Sequence, residues 1–193
     1  MKKEIKDKSI RLINETRVLT LAVSDKGIPW SSPVYFVFHD NAFYFFSNEN
    51  SRHIEYAEDQ KIIAASIFQD SDRMDQIFGF QMSGGVEKVS KKKLYLTIVK
   101  KYVTKFNFLK QLFGPQIIEN KHFFLEKFKS HLYCFHPDKI FLSDNSQTKD
   151  KITDKRLKID LGEIVWSFCK SRKFYCLMSK QHLFNLDFYS GKK

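Results

Sequence analysis

The sequence predicts a mainly β, α+β domain: an antiparallel barrel, closed or half-open, with flanking helices. Short strand-like runs are joined by tight turns at Asp25-Lys26-Gly27 and Asp40-Asn41, which favours a barrel over a parallel α/β sheet. The chain has 193 residues, within the ~50–250 usual for one domain. It is 42% hydrophobic and 16% aromatic, with 20 Phe and 8 Tyr, so a sizeable core can form. Each buried aromatic removes roughly 150–250 Å² from water.

The elements follow in order. Lys3–Glu15 carries Ile5, Ile10, Leu12 and Ile13 at helical spacing. Arg17–Ser24 and Pro29–His39 read as strands about the first turn, and Ala42–Ser47 (AFYFFS) follows the second as a hairpin partner. Aromatics on both faces of this hairpin imply burial on two sides, or one face lining a ligand. Asn48–Ser51 breaks the strand and offers N-cap side chains to a short helix, Arg52–Glu58. Lys61–Phe68 and Gln76–Ser90 are strands, with Gly84-Gly85 marking a bulge in the second. Lys91–Leu112 shows an apolar stripe of Leu94, Ile98, Tyr102, Phe106 and Leu109, and a second helix is expected over Gln116–Phe128. His131–Leu142 is the closing strand, interrupted at Pro137. Asp144–Lys158 is polar and reads as a loop. The expected organisation is one domain over 1–160 and a C-terminal extension over 161–193, aromatic and without an assigned role, for which packing on the barrel or on a partner subunit is the reading.

Charge is uneven. Residues 1–87 carry 10 bases and 13 acids, residues 88–130 carry 11 and 2, and residues 131–193 carry 12 and 7. The net +11 is therefore concentrated in the middle, where Lys91, Lys92, Lys93, Lys100, Lys101, Lys105 and Lys110 stand without Arg. Lysines alone suit nonspecific phosphate contact more than base readout, so a solvated helix face is expected rather than nucleic-acid binding, with a non-catalytic module that binds through 88–130 as the alternative. No run reaches the ~18 apolar residues of a membrane helix, and the first residues lack the apolar core of a secretory signal. The odd trio Cys134, Cys169 and Cys176 fits reduced thiols, and a cytoplasmic protein without a membrane partner is expected.

No nucleophile elbow, zinc-protease helix, phosphate loop or dinucleotide fingerprint is present. Cys134 and His136 share a strand face but lack a third ligand, so no metal site is expected. Ser51-Arg52-His53 is different, because it falls where a strand gives way to a helix. Unpaired N–H groups and the helix dipole favour an anion there, and Arg52 adds a planar fork suited to phosphate.

The run SSPVYFVFHDNAFYFFSNENSRHIEYAEDQKIIAASIF followed by FGFQMSGGVEKV resembles the pyridoxamine 5′-phosphate oxidase-like split β-barrel family. It is most similar to the YhbP-like branch, through Arg52-His53, the Gly79–Gly84 GFQMSG strand and Ser143-Asp144-Asn145. The resemblance, over residues 9–160, implies a six-stranded antiparallel split barrel that binds FMN as a homodimer with flavin sites at the interface. It places Ser51, Arg52 and His53 on the phosphate. Pro33, Val34 and Tyr35, with Phe46 and Ser47, would flank the isoalloxazine by main-chain and ring contacts, and Gln81 would reach its polar edge. His53 stands where the better-known oxidases have Lys, and their C-terminal Arg and His region has no counterpart, so the expected activity is an FMN-dependent oxidoreductase on another small molecule. Some split barrels bind or degrade haem instead, for which His122 or His182 would be the axial ligand.

Overall fold

The computed structural model describes residues 3–114, 116–120, 122–147 and 157–164. The chain order is α1 (Lys3–Glu15), β1 (Val18–Asp25), β2 (Ile28–His39), β3 (Ala42–Ser47), α2 (Arg52–Gln60), β4 (Ile63–Gln69) and β5 (Phe78–Lys88). Then come α3 (Lys92–Lys105), α4 (Asn107–Phe113), α5 (Gln116–Glu119), α6 (Phe123–Phe128), β6 (His131–Asp144) and β7 (Leu157–Lys158). The strands run β3-β2-β1-β4-β5-β6-β7, and β3 also pairs with β6, which closes six antiparallel strands into a barrel. Both hairpin turns have positive φ at their two central residues: 48° and 83° at Lys26 and Gly27, 46° and 62° at Asp40 and Asn41. That hand matches the twist of the flanking strands.

Alternation along each strand sends one set of side chains inward. Leu19, Leu21, Phe36, Phe43, Phe45, Phe80 and Phe135 fill the barrel, joined by Leu12 and Ile13 of α1 and Ile54 and Ala57 of α2. A second core lies outside β2, β3 and β6, where Val37, Tyr44, Leu132 and Cys134 meet Ile98, Val99, Tyr102, Phe106 and Phe124 of the helices. The AFYFFS strand is apolar on both faces for this reason: Phe43 and Phe45 point into the barrel, Tyr44 and Phe46 toward the helices. Cys134 is buried there, and burial pushes its thiol up to about 12, so it is chemically inert at neutral pH. Among the described residues no helix is long and apolar enough to cross a membrane.

Two expectations are revised. The helix expected over 91–112 is two helices, because Phe106 (φ −112°, ψ 68°) leaves helical geometry and drops its ring into the second core. The helix expected over 116–128 is also two, separated where Asn120 Oδ1 accepts from the His122 main chain and the Asn120 carbonyl from Phe123. Ile159, Leu161 and Ile164 are also buried with the barrel interior. Residues 165–193, including Cys169, Cys176 and His182, lie outside the described residues. The bulge at Gly84 is present, as a register shift opposite Pro137; a Cβ at Gly84 would collide with the His136 carbonyl.

Lys105 departs from the solvated lysine face. Its Nζ sits 3.9 Å from the Phe36 ring centroid and donates to the Ile13 carbonyl at 3.2 Å, tying α3 to the end of α1. Burial, with a smaller contribution from Arg17, lowers its pKa from 10.5 to about 8. The unfolded chain therefore holds this proton to higher pH than the folded chain does, so Lys105 adds stability as pH rises from about 8 toward 10.5. Denaturant unfolding measured across that window is expected to show a rise in wild type that is absent in Lys105→Met.

Candidate functional site

The site begins where two strands part. The β2–β3 ladder runs from His39–Ala42 to Phe36–Phe45 and ends there, while Phe46 and Ser47 continue paired only with β6. The Phe36 N–H bonds the Arg17 carbonyl at 3.1 Å, which fixes the phase of the β1–β2 ladder. Phe36, Val34, Ser32 and Trp30 turn their main-chain groups toward β1; Tyr35, Pro33, Ser31 and Pro29 turn theirs to the open edge. The next β2–β3 rung would join Tyr35 to Phe46. Instead the Tyr35 carbonyl accepts from Tyr102 Oη of α3 at 3.0 Å. Burial raises the Tyr102 pKa, so the phenol keeps its proton.

Beyond this wedge the split opens onto the N-terminus of α2. Ile54 and Glu55 bond back to the Ser51 carbonyl, so the N–H groups of Arg52 and His53 have no intrahelical acceptor. Ser51 Oγ donates to the Asn48 carbonyl at 2.6 Å rather than capping the helix. Ser47 Oγ lies 2.8 Å from His53 Nε2 and 3.0 Å from Ser51 Oγ, a linked cluster. Burial lowers the His53 pKa below 6.5, so the imidazole is neutral at pH 7. Arg52 is exposed, and its guanidinium carbon lies 4.3 Å from the Trp30 ring centroid. Beside the cluster, Glu49 pairs with Lys88 at 2.9 Å and lies 3.4 Å from His131 Nε2, so its carboxylate is already engaged.

Seven of the nine residues singled out in the sequence line the split. Pro33 and Tyr35 lie on one bank with their main-chain groups at the open edge, Phe46 and Ser47 on the other, and Ser51, Arg52 and His53 at its end. The contacts they can offer differ from expectation. The Phe46 ring is stacked on Phe124 at 3.7 Å and edged by Tyr102 at 5.1 Å, so it belongs to the second core. Val34 packs its side chain toward the barrel interior and bonds β1 with its main chain.

Gln81 is exposed on the outer sheet face, and it shares a ladder row with Pro33, Thr20 and Ser66. Three strand spacings separate it from Pro33, about 14 Å at the usual spacing. A cleft of about 460 Å³ lies along this row, lined by Glu15, Arg17, Val18, Thr20, Ser66, Phe68 and Asp70 among others. Trp30 and Tyr102, absent from the sequence-based site, take part through a stack and a hydrogen bond. Local sequence gives no signal for either, since each contact joins distant segments. The remaining chemistry-bearing residues stay apart: His136 binds Glu87 at 2.9 Å, and His122 is exposed at the start of α6. Among the described residues no cluster of metal-binding side chains occurs. Lys91, Lys92, Lys93, Lys100 and Lys110 are exposed, whereas Lys105 is turned inward.

Residues 6–104, just over half of the chain, match the family model described as pyridoxamine 5′-phosphate oxidase. The chain belongs to this family. Solved structures share the oxidase-family fold at low identity. An FAD-binding protein from Mesorhizobium loti is 13% identical, with 74% of this chain and 94% of that one covered at a TM-score of 0.52. HutZ, a haem storage protein from Vibrio cholerae, is 17% identical, covering 75% and 95% at 0.53. A haem-binding protein from Mycobacterium smegmatis is 11% identical, covering 86% and 62% at 0.60. No curated protein matches the chain. Membership in the oxidase family agrees with the split and with the barrel closure. Tyr102→Phe leaves the half-buried Tyr35 carbonyl without its donor, and a loss of about 1 kcal/mol in unfolding free energy is expected by chemical denaturation.

Proposed function

We propose that this protein is an FMN-binding oxidoreductase, acting on a small molecule other than pyridoxamine phosphate, and that it works as a cytoplasmic homodimer. The observation that carries the reading is the open end of the split, where an exposed guanidinium, two helix N–H groups and the outward main chain of β2 converge. The residues fit the group. A phosphate monoester wants a planar cation and helix amides, which Arg52 and α2 supply with Ser51 alongside. The outward main-chain groups of Ser31 and Pro33 suit the edge of a planar heterocycle, and exposed Pro33 gives it apolar surface. When bound, the flavin supplies the redox chemistry. The protein's own groups bind and orient: Arg52 holds charge, the hydroxyls of Ser47 and Ser51 stay fixed by neutral His53, and Tyr102 seals the far end of the split.

The homodimer reading rests on the outer sheet face. Ladder rows Ser31–Ala22–Ala64–Ser83 and Pro33–Thr20–Ser66–Gln81 carry no charged side chain across four strands. In a chain with 28% charged residues, such a face suits a second copy. An isologous contact through it would set Gln81 of one copy opposite the Pro33 bank of the other, which reconciles its distance from the rest of the site.

Haem is the second reading, supported by haem-binding structural neighbours. Visible absorption of the purified protein, before and after added FMN, separates the two. A flavin spectrum with quenched fluorescence is expected; failure to take up FMN overturns the reading, and a Soret band replaces it with haem. Arg52→Ala is expected to weaken FMN binding by about 1.5–3 kcal/mol, the worth of a charge-assisted hydrogen bond, in a fluorescence titration.

A further inference from the structure

We propose that Trp30 is a positioning residue for anion recognition: its indole holds the Arg52 guanidinium in one plane at the open end of the split. The inference rests on the phosphate role of Arg52 argued above and names the residue that makes that role effective. An arginine at an exposed helix end ordinarily explores many rotamers, and ordering it on binding costs conformational entropy. Here the guanidinium carbon lies 4.3 Å from the indole centroid, within cation–π range. The indole is itself fixed, because Trp30 Nε1 donates to Ser32 Oγ at 2.9 Å and Ser32 is buried.

Two features separate this stack from an incidental surface contact. Among the described residues no carboxylate pairs with Arg52, so its charge is held in place without being compensated. In the proposed stack the indole covers one face of the guanidinium and leaves its N–H edge to a bidentate oxyanion. Glu49, the nearby acid in the β3–α2 connection, is occupied by Lys88 and His131. The arrangement therefore selects flavins that carry a phosphate over those that lack one, and Arg52→Lys would not restore it, since an ammonium lacks the planar fork.

The test compares FMN with riboflavin by fluorescence titration in wild type, Trp30→Leu, Trp30→Phe and Arg52→Ala. Trp30→Leu is expected to weaken FMN binding about fivefold while riboflavin affinity stays unchanged. Trp30→Phe keeps an aromatic face and should stay within about twofold of wild type; it also serves if Trp30→Leu is poorly folded, its FMN-to-riboflavin preference then being compared with that of Arg52→Ala. Adding Trp30→Leu to Arg52→Ala should cause no further loss, because the two act through one contact. Wild-type FMN affinity in Trp30→Leu, or equal losses for FMN and riboflavin, would overturn the positioning role while leaving the phosphate site intact. An Arg52→Ala variant with unchanged FMN affinity would instead overturn the phosphate reading itself.

Discussion

Past the Phe36–Phe45 rung the main chains of β2 and β3 stop bonding to each other, and the Tyr35 carbonyl takes its donor from Tyr102. A barrel that paired fully at this seam would bury the edge of β2 and leave no room for a ligand. Pairing β3 with β6 keeps the barrel closed despite the split, so opening one seam does not cost the core its enclosure. The helices after β5 then do two jobs: they cover the outer faces of Tyr44 and Phe46, and they limit how far the split extends. The candidate site is what remains uncovered between that wedge and α2.

The electrostatics of the site are sparse by comparison with the chain's overall charge. Most of the basic excess lies on α3 and its neighbours, away from the α2 terminus, and Lys88 and His131 are engaged by Glu49. Burial keeps His53 neutral, which leaves one guanidinium and the helix dipole to meet an anion. A site of this kind depends on geometry more than on charge density. The linked hydroxyls of Ser47 and Ser51 and the fixed imidazole serve that geometry.

Much of the barrel was legible in the sequence because its signals are local. Two-residue turns, alternating strands and a glycine-marked bulge each announce themselves within a few residues, and the six strands fall where those signals place them. Helix boundaries were less legible at Phe106 and Asn120, where tertiary packing of a ring and a side-chain hydrogen bond override an unbroken helical pattern. For the site, strand and helix positions brought Pro33, Tyr35, Ser47, Ser51, Arg52 and His53 to one split, but the direction of each side chain did not follow. Phe46 reads as a wall of the site in sequence and is a core residue in space, because its neighbours come from α3 and α6. Trp30 and Tyr102 illustrate the converse, since their partners lie 22 and 67 residues away in the chain.

The open edge of β2 has a consequence for how the protein survives its own folding. An unpaired strand edge is ordinarily a template on which another chain can add, and sheets that expose one are prone to aggregate. On β2 the outward positions include Pro29 and Pro33, which have no N–H to give. An incoming strand would find acceptors but too few donors to build a regular ladder. The same prolines that keep the edge available to a small molecule thus deny it to a polypeptide, so the opening that function requires is not an invitation to polymerise.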